Sequence, residues 1–243
     1  LSLGQSPEMR DIQDRLGWKQ VAPLRIAQLL IRPENVLKRK LGTPGAWAAG
    51  LGLRASAALR DVFRDRSQMD VREVHRFDDR HDALWDVMAR DVTCAVVRDA
   101  SFLNWKYVDQ PGQHFIRLEL VEEGNVRGVV VLTLREPDAV YAYRRAFLVD
   151  IVGSLRDESL LHRLIQLATS AAAERGADSI VCMHLHASLT RALKASGFRL
   201  RKPSRLLLID TEGLSEQEVA LVTAPDNWLL TQGDSDIDRP GVS

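Results

Sequence analysis

A short pattern occurs twice in this 243-residue chain and ties its two ends to one architecture. Gly17-Trp18 and Gly197-Phe198 each follow a short stretch with helical spacing. Six residues past each glycine stands a proline (Pro23, Pro203), and two further an arginine (Arg25, Arg205). Each copy then runs into an aliphatic stretch, Leu29-Leu30-Ile31 in the first and Leu206-Leu207-Leu208-Ile209 in the second. Glycine is the usual residue just past a helix end, because it takes the left-handed conformation without strain. The repeated order helix, glycine, aromatic, strand predicts that residues 1–31 repeat the closing elements of a unit whose full version follows. On this reading a first domain is represented by its tail alone. A single helix and strand bury too little apolar surface to fold by themselves. They are therefore expected to pack on the second unit or on something further.

The first helix is signalled by Ser6 as N-cap, Pro7 in the first turn, and Met9, Ile12 and Leu16 at helical spacing. Residues 32–70 read as a connector, broken by Pro33 and Gly42-Thr43-Pro44-Gly45, with an alanine-rich helical stretch over 46–66. From Val71 the pattern becomes α/β. A helix is expected over 79–90, followed by three strands over 114–121, 127–134 and 141–151, with Glu123-Gly124-Asn125 turning between the first two. A long helix over 157–175 closes at Gly176. A strand over 179–185, a helix over 188–196 and a strand over 199–209 complete the unit, and a polar tail follows. The division is thus 1–31, 32–70, 71–210 and 211–243.

Composition narrows the function classes. Hydrophobic residues make up 45% of the chain and charged residues 27%, with 33 basic against 33 acidic. A net charge of zero offers no attraction for nucleic acid or an anionic membrane. Two cysteines, Cys94 and Cys182, in unrelated contexts point to a reducing compartment and the cytoplasm rather than a disulfide framework. No apolar run reaches the ~18–20 residues of a membrane-spanning helix.

Several residue groups carry possible chemistry. Cys182, His184 and His186 alternate along one strand and so share a face. Three positions at ~3.3 Å per residue span about 13 Å, too far for one zinc ion, so no metal is expected. A core face ending in a histidine at the mouth of a cleft suits them better. Asp150, at the end of the central strand, is either a carboxylate for a substrate amine or a solvated strand end. Asp234-Ser235-Asp236-Ile237-Asp238 imitates the start of a calcium loop, but Arg239 stands where glycine is required. Trp105, Lys106 and Tyr107 have no basic stripe beside them and read as packing residues. No Walker loop or dinucleotide fingerprint occurs.

The order strand–strand–strand–helix–strand–helix–strand over 71–210, with a glycine–aromatic pair after the last helix, resembles the GNAT superfamily of acyl-CoA N-acyltransferases. Residues 1–31 resemble that fold's final helix and strand, as in a tandem arrangement with the first half truncated. The segments Arg98-Asp99-Ala100 to Tyr107, Trp228, and Gly233-Asp234-Ser235-Asp236 resemble GNAT-like proteins found near bacterial polysaccharide genes. The resemblance implies an α/β (α+β) fold with a mixed central sheet flanked by helices. It implies a cytoplasmic bacterial N-acyltransferase moving acetyl from acetyl-CoA to a small amine, amino sugar or amino acid. Its partners would be the small-molecule amine, and a missing N-terminal GNAT half or a second copy.

The family's pyrophosphate loop, Q/R-x-x-G-x-G/A, falls on Arg156-Asp157-Glu158-Ser159-Leu160-Leu161. The cofactor positions implied are Val152, Arg156, Ser159 and Leu161. Arg156 fits, whereas Ser159 and Leu161 replace the two small residues, and Asp157 and Glu158 put negative charge where a diphosphate would lie. The family's tyrosine acid falls on Leu193, and on Gln13 in the earlier copy. His186 and His184 are the implied bases and Asp150 the amine-binding carboxylate. The alternative is a catalytically degenerate GNAT-like module without its own acetyl-CoA site.

Overall fold

The computed structural model describes residues 1–3, 6–38, 69–112, 114–203 and 205–235. The alanine-rich connector helix and the end of the calcium-like motif lie outside the described residues. In chain order the elements are β1 (Ser2–Leu3), α1 (Pro7–Arg15), β2 (Lys19–Pro23), β3 (Arg25–Leu30), β4 (Asp70–Glu73), α2 (Asp79–Ala89), β5 (Cys94–Ala95) and α3 (Ala100–Tyr107). Then follow β6 (Ile116–Glu122), β7 (Asn125–Arg135), β8 (Arg145–Gly153), α4 (Glu158–Glu174), β9 (Ser179–Leu185) and α5 (Ala187–Ala195). The last are β10 (Arg199–Arg201), β11 (Leu206–Ile209), α6 (Glu216–Thr223) and β12 (Trp228–Thr231), with single 3-10 turns at Pro225–Asn227 and Gln232–Asp234.

The main sheet runs β10-β3-β9-β8-β7-β6-β4, and its one parallel pair on that path is β8 with β9. The β6–β7 hairpin turns on Glu123 and Gly124, both at positive φ (49° and 82°), the pair of left-handed residues that matches strand twist in a two-residue turn. Helix α4 presents Leu160, Leu161, Leu164, Ile165, Ala168, Ala171 and Ala172 at helical spacing and buries all of them. It packs on β7 and β8, as α2 also does. Close approach has a sequence requirement: a Cβ on Gly128 in β7 would lie 2.7 Å from Leu164 Cδ1. Each fully buried leucine of this kind stabilises the fold by roughly 1.5–3 kcal/mol.

The two expected terminal strands are each broken into two. Residues 18–31 kink at Leu24, which is fully buried and donates its N–H to the Arg205 carbonyl at 2.9 Å. Residues 199–209 break around Pro203. The breaks let the copies trade partners. β2 pairs with β11 (Ala22 opposite Leu207), and β3 pairs with β10 (Ala27 opposite Leu200), both antiparallel. β3 also runs antiparallel to β9 over six residues, from Arg25 opposite His184 to Leu30 opposite Ser179. A second apolar cluster of Ala22, Leu24, Met183, Leu185, Leu207, Ile209, Trp228 and Leu230 joins these strands to β9 and β12.

The stretch after Ile209 is more than a polar tail. Its α6 is capped by Ser215 and Glu218, and Trp228–Thr231 is a buried strand.

Candidate functional site

Strands β8 and β9 pair from Arg145 opposite Ser179 to Leu148 opposite Cys182, and beyond that they part. The register of β7 against β8 shifts at the same level, between Val131–Asp150 and Leu132–Leu148. Because β3 holds one edge of β9 as far as His184, the pairing of β12 with His184 and Leu185 falls on the other edge, facing β8. Thus β12 and the 3-10 turn after it enter the opening between the diverging strands. Trp228 of β12 is in turn bridged to Cys94 of β5.

A buried charge cluster fastens this insertion. Arg98, without exposed surface, donates Nε–H to both Asp150 oxygens (3.1 and 3.2 Å), Nη2–H to Asp234 Oδ2 (2.6 Å) and to Thr231 Oγ1 (3.2 Å), and Nη1–H to the Val96 carbonyl (2.8 Å). Thr231 passes its hydroxyl hydrogen to Asp150 Oδ1 (2.9 Å), and Tyr107 donates to Asp150 Oδ2 (2.8 Å). The Ile151 N–H also points to Asp150 Oδ1 (2.9 Å). Burial alone disfavours the Arg98 charge, but the carboxylates of Asp150 and Asp234 beside it raise its pKa above the ordinary value. Burial pushes the Tyr107 phenol up, and the Asp150 charge pushes it further. Burial likewise raises Asp234 against the pull of Arg98. Gly233 fits against this group because it has no side chain: a Cβ there would lie 2.0 Å from the Tyr107 hydroxyl.

The loop before α4 is closed by this chain's own anion. Asp91 accepts from the Ser154 hydroxyl (2.8 Å) and the Leu155 N–H (2.9 Å), and pairs with Arg156 Nε (3.0 Å). Asp157 caps the helix by accepting from the Leu160 N–H (2.9 Å). Carboxylates near a helix N-terminus satisfy the same donors and field that would otherwise draw a phosphate.

The residues singled out from sequence fall into four environments. Asp150 is at the centre of the charge cluster, 1% exposed. His184 is fully buried on β9, where its Nε2 meets Thr190 Oγ1 at 3.0 Å. Burial, with Arg25 and His186 nearby, lowers its pKa to about 4, so it is neutral at pH 7. His186 is the N-cap of α5, makes no side-chain cap bond, and is pushed down chiefly by burial and then by Arg191. Thr231 joins these groups, pairing with His184 through the backbone and with Asp150 through its hydroxyl. Arg156 and Ser159 are exposed, whereas Val152 and Leu161 are fully buried in the main core. Leu193, at the tyrosine position, is also fully buried core. Cys182 is buried next to Asp150 and its thiol is pushed up to about 12. The organising residues that sequence reasoning passed over are Asp91 and Thr231. No motif announces either, since their partners lie 63 and 81 residues away.

Acetyl-CoA does not fit these residues as they stand. The opening between β8 and β9 holds β12, the loop amide holds Asp91, and glycines are absent from the loop's small positions.

No family model and no curated protein matches the sequence. Solved structures do match. A GCN5-related N-acetyltransferase from Anabaena variabilis is 9% identical with a TM-score of 0.53, over 85% of this chain and 45% of that one. A probable N-acyltransferase from Enterococcus faecalis is 13% identical with a TM-score of 0.47, over 81% of this chain and 42% of that one. An aminoglycoside acetyltransferase from an uncultured soil sample, in complex with sisomicin, is 13% identical with a TM-score of 0.34, over 46% of this chain and 74% of that one. The likeness to the first of these shows that the chain has a GNAT-like fold, a mixed sheet flanked by helices. The chain spans less than half the length of the first two structures. Among the described residues no helix is long and apolar enough to cross a membrane.

Proposed function

We propose that residues 70–235 form the acyl-CoA-silent half of a GNAT-type N-acyltransferase, a module that shapes or completes a cleft for an amine substrate without loading acetyl-CoA itself. The supporting observation is the opening between β8 and β9, filled by Trp228–Thr231 and the turn after it and fastened through Arg98 to Asp150 and Asp234. The GNAT-like fold supports the acyltransferase class. In such a half Asp150, His184 and Arg156 are structural: Asp150 accepts from four donors, His184 lies inside the sheet, and Arg156 pairs with Asp91. Calorimetric titration of the chain with acetyl-CoA is expected to give no binding heat up to millimolar ligand. A micromolar dissociation constant would overturn the proposal.

One observation favours the active reading, an N-acetyltransferase acting on a small amine. The Nδ1 atom of His186, at the N-terminus of α5, is buried without a hydrogen-bond partner, and a neutral imidazole there can accept the proton released as an amine attacks a thioester. That reading requires residues 228–235 to leave the opening. Gly233→Leu, which cannot fit against Tyr107, separates the two. If the variant gains acetyl-CoA binding and acetylates amines, the site is gated; if it loses stability and binds nothing, the site is silent.

A further inference from the structure

Pro23 closes β2, and Pro203 lies in the break between β10 and β11. Proline has no N–H for a strand ladder, so paired strands part where it stands. The pairing of β3 with β10 ends at Ile26 opposite Arg201, and that of β2 with β11 resumes at Pro23 opposite Leu206. Between those two pairs both backbones cross from the main sheet to the three-stranded sheet of β1, β11 and β2. Leu24 turns into the second apolar cluster at the crossing, whereas Pro23 and Arg25, on either side of it, line a cavity of about 370 Å³. That is room for a small organic molecule.

Most of the wall is apolar. Val21 and Pro23 come from one side of the crossing, Leu200 and Pro203 from the other, and Leu185 and Pro225 close it. Leu200 is 41% exposed, a large apolar side chain that the fold leaves open on this wall. Two cations share the wall, Arg25 and Arg201. Arg201 is exposed and donates its Nε–H to Gln28 Oε1 at 2.9 Å. Arg25 is half-buried and donates Nη1–H to Thr190 Oγ1 at 2.8 Å, and among the described residues no carboxylate pairs with it. The Thr190 hydroxyl hydrogen goes in turn to the His186 carbonyl (2.8 Å), so this bond leaves the Arg25 charge unbalanced. The local field agrees: after burial, Arg25 is among the charges that lower the pKa of both His184 and His186.

We propose that this cavity binds a small monocarboxylate with an apolar body, the carboxylate on Arg25 and the body against Val21, Leu185 and Leu200. An apolar chamber gains by taking hydrocarbon out of water, and the planar guanidinium offers paired donors that match a carboxylate. An amine of the same shape would meet like charge. A doubly charged phosphate would bring a second charge into an apolar chamber where one half-buried cation balances only the first. No residue of the wall belongs to the Arg98 cluster, so the site stands whether or not the chain loads acetyl-CoA.

Octanoate, octylamine and octyl phosphate, which share one tail and differ in charge, provide the test by calorimetric titration of the whole chain. Octanoate is expected to bind with a dissociation constant of about 1 mM or below. Octylamine is expected to give no heat, and octyl phosphate to bind at least about tenfold more weakly than octanoate. Arg25→Gln should weaken octanoate at least about tenfold, and Arg25→Lys by less, because it keeps the charge and loses the fork. Leu200→Trp fills the chamber from a partly exposed position; it should abolish binding and leave the melting temperature within about 2 °C. The inference is overturned if octanoate gives no heat up to about 10 mM, or if either of the other ligands binds as tightly. It is overturned equally if Arg25→Gln binds octanoate as the wild type does. Unchanged binding in Leu200→Trp would put the ligand on another apolar surface, such as the exposed stripe of α1, and also overturns it. Should Arg25→Gln fail to fold, Leu200→Trp and the three ligands decide the matter.

Discussion

Arg98 has no exposed surface and faces two buried carboxylates, so its removal leaves Asp150 and Asp234 repelling each other in a low-dielectric interior. Breaking a buried ion pair from one side costs about 3–5 kcal/mol, well above a typical surface pair. Arg98→Met is therefore expected to lower stability by roughly that amount in urea unfolding; a loss under about 1 kcal/mol would show that the cluster is not holding β12 in place. His184 gives the molecule an acid-sensitive point. Its folded pKa of about 4 lies below the unfolded value, so between these the unfolded chain binds the extra proton. Stability from this group is complete above about pH 6.5 and is lost as pH falls toward 4, by roughly 3 kcal/mol. Comparison of wild type with His184→Gln across this range should show the wild type falling more steeply; parallel curves would exclude His184 as the cause. Neither property could be read from sequence. Alternation put His184 correctly on a strand face, but which face is dry depends on strands β3 and β12, distant in the chain.

The loop ahead of α4 has the strand-to-helix form that its sequence pattern predicts, and its donors are met by the chain's own carboxylates. The strand-to-helix turn falls where the sequence pattern puts it, and the absent glycines at Ser159 and Leu161 were legible beforehand. The occupant was not, because Asp91 comes from the turn after α2. Asp91→Ala is expected to cost about 1–3 kcal/mol, the penalty for orphaning the Leu155 N–H and the Ser154 hydroxyl, and to speed exchange of amides 154–156. If the loop amides stay protected, another acceptor replaces the carboxylate and Asp91 is not the anion that closes the loop. Glycine at 161 does not recover a phosphate cradle, because Leu161 is core and its truncation creates a cavity costing several kcal/mol. Strand positions in β6, β7, β8 and β9 were legible to within a few residues from alternation and turn signals. β12 was not: four residues, Trp-Leu-Leu-Thr, carry too little periodicity to separate a strand from a tail. They become a strand because β8 and β9 diverge there and leave an edge of β9 to pair.

At the scale of the whole molecule, the ends of the chain are built into its middle. Strand β9 is held on one edge by β3, from the first 30 residues, and on the other by β8 and then β12, which follows it by more than 40 residues. The repeat made this legible in outline, since it required residues 1–31 to pack on a fuller unit; the exchange of strands was not, because both copies have the same apolar pattern and pattern alone does not say which copy pairs with which. The consequence is cooperative. Ala27 and Ile180 are fully buried between the copies, and Leu24 seals the second cluster, so β3 cannot leave without exposing both cores. The amides of Ile26 to Leu30 should therefore exchange in the same slow class as those of Val149 to Val152 in β8, through global unfolding. Native-state hydrogen exchange in low denaturant measures this directly. If β3 exchanges more than about a hundredfold faster than β8, the N-terminal copy is a separately opening attachment. If the rates coincide, deletion of residues 1–31 should unfold the remainder, because β9 would lose the partner on one edge and the cover of its apolar face together.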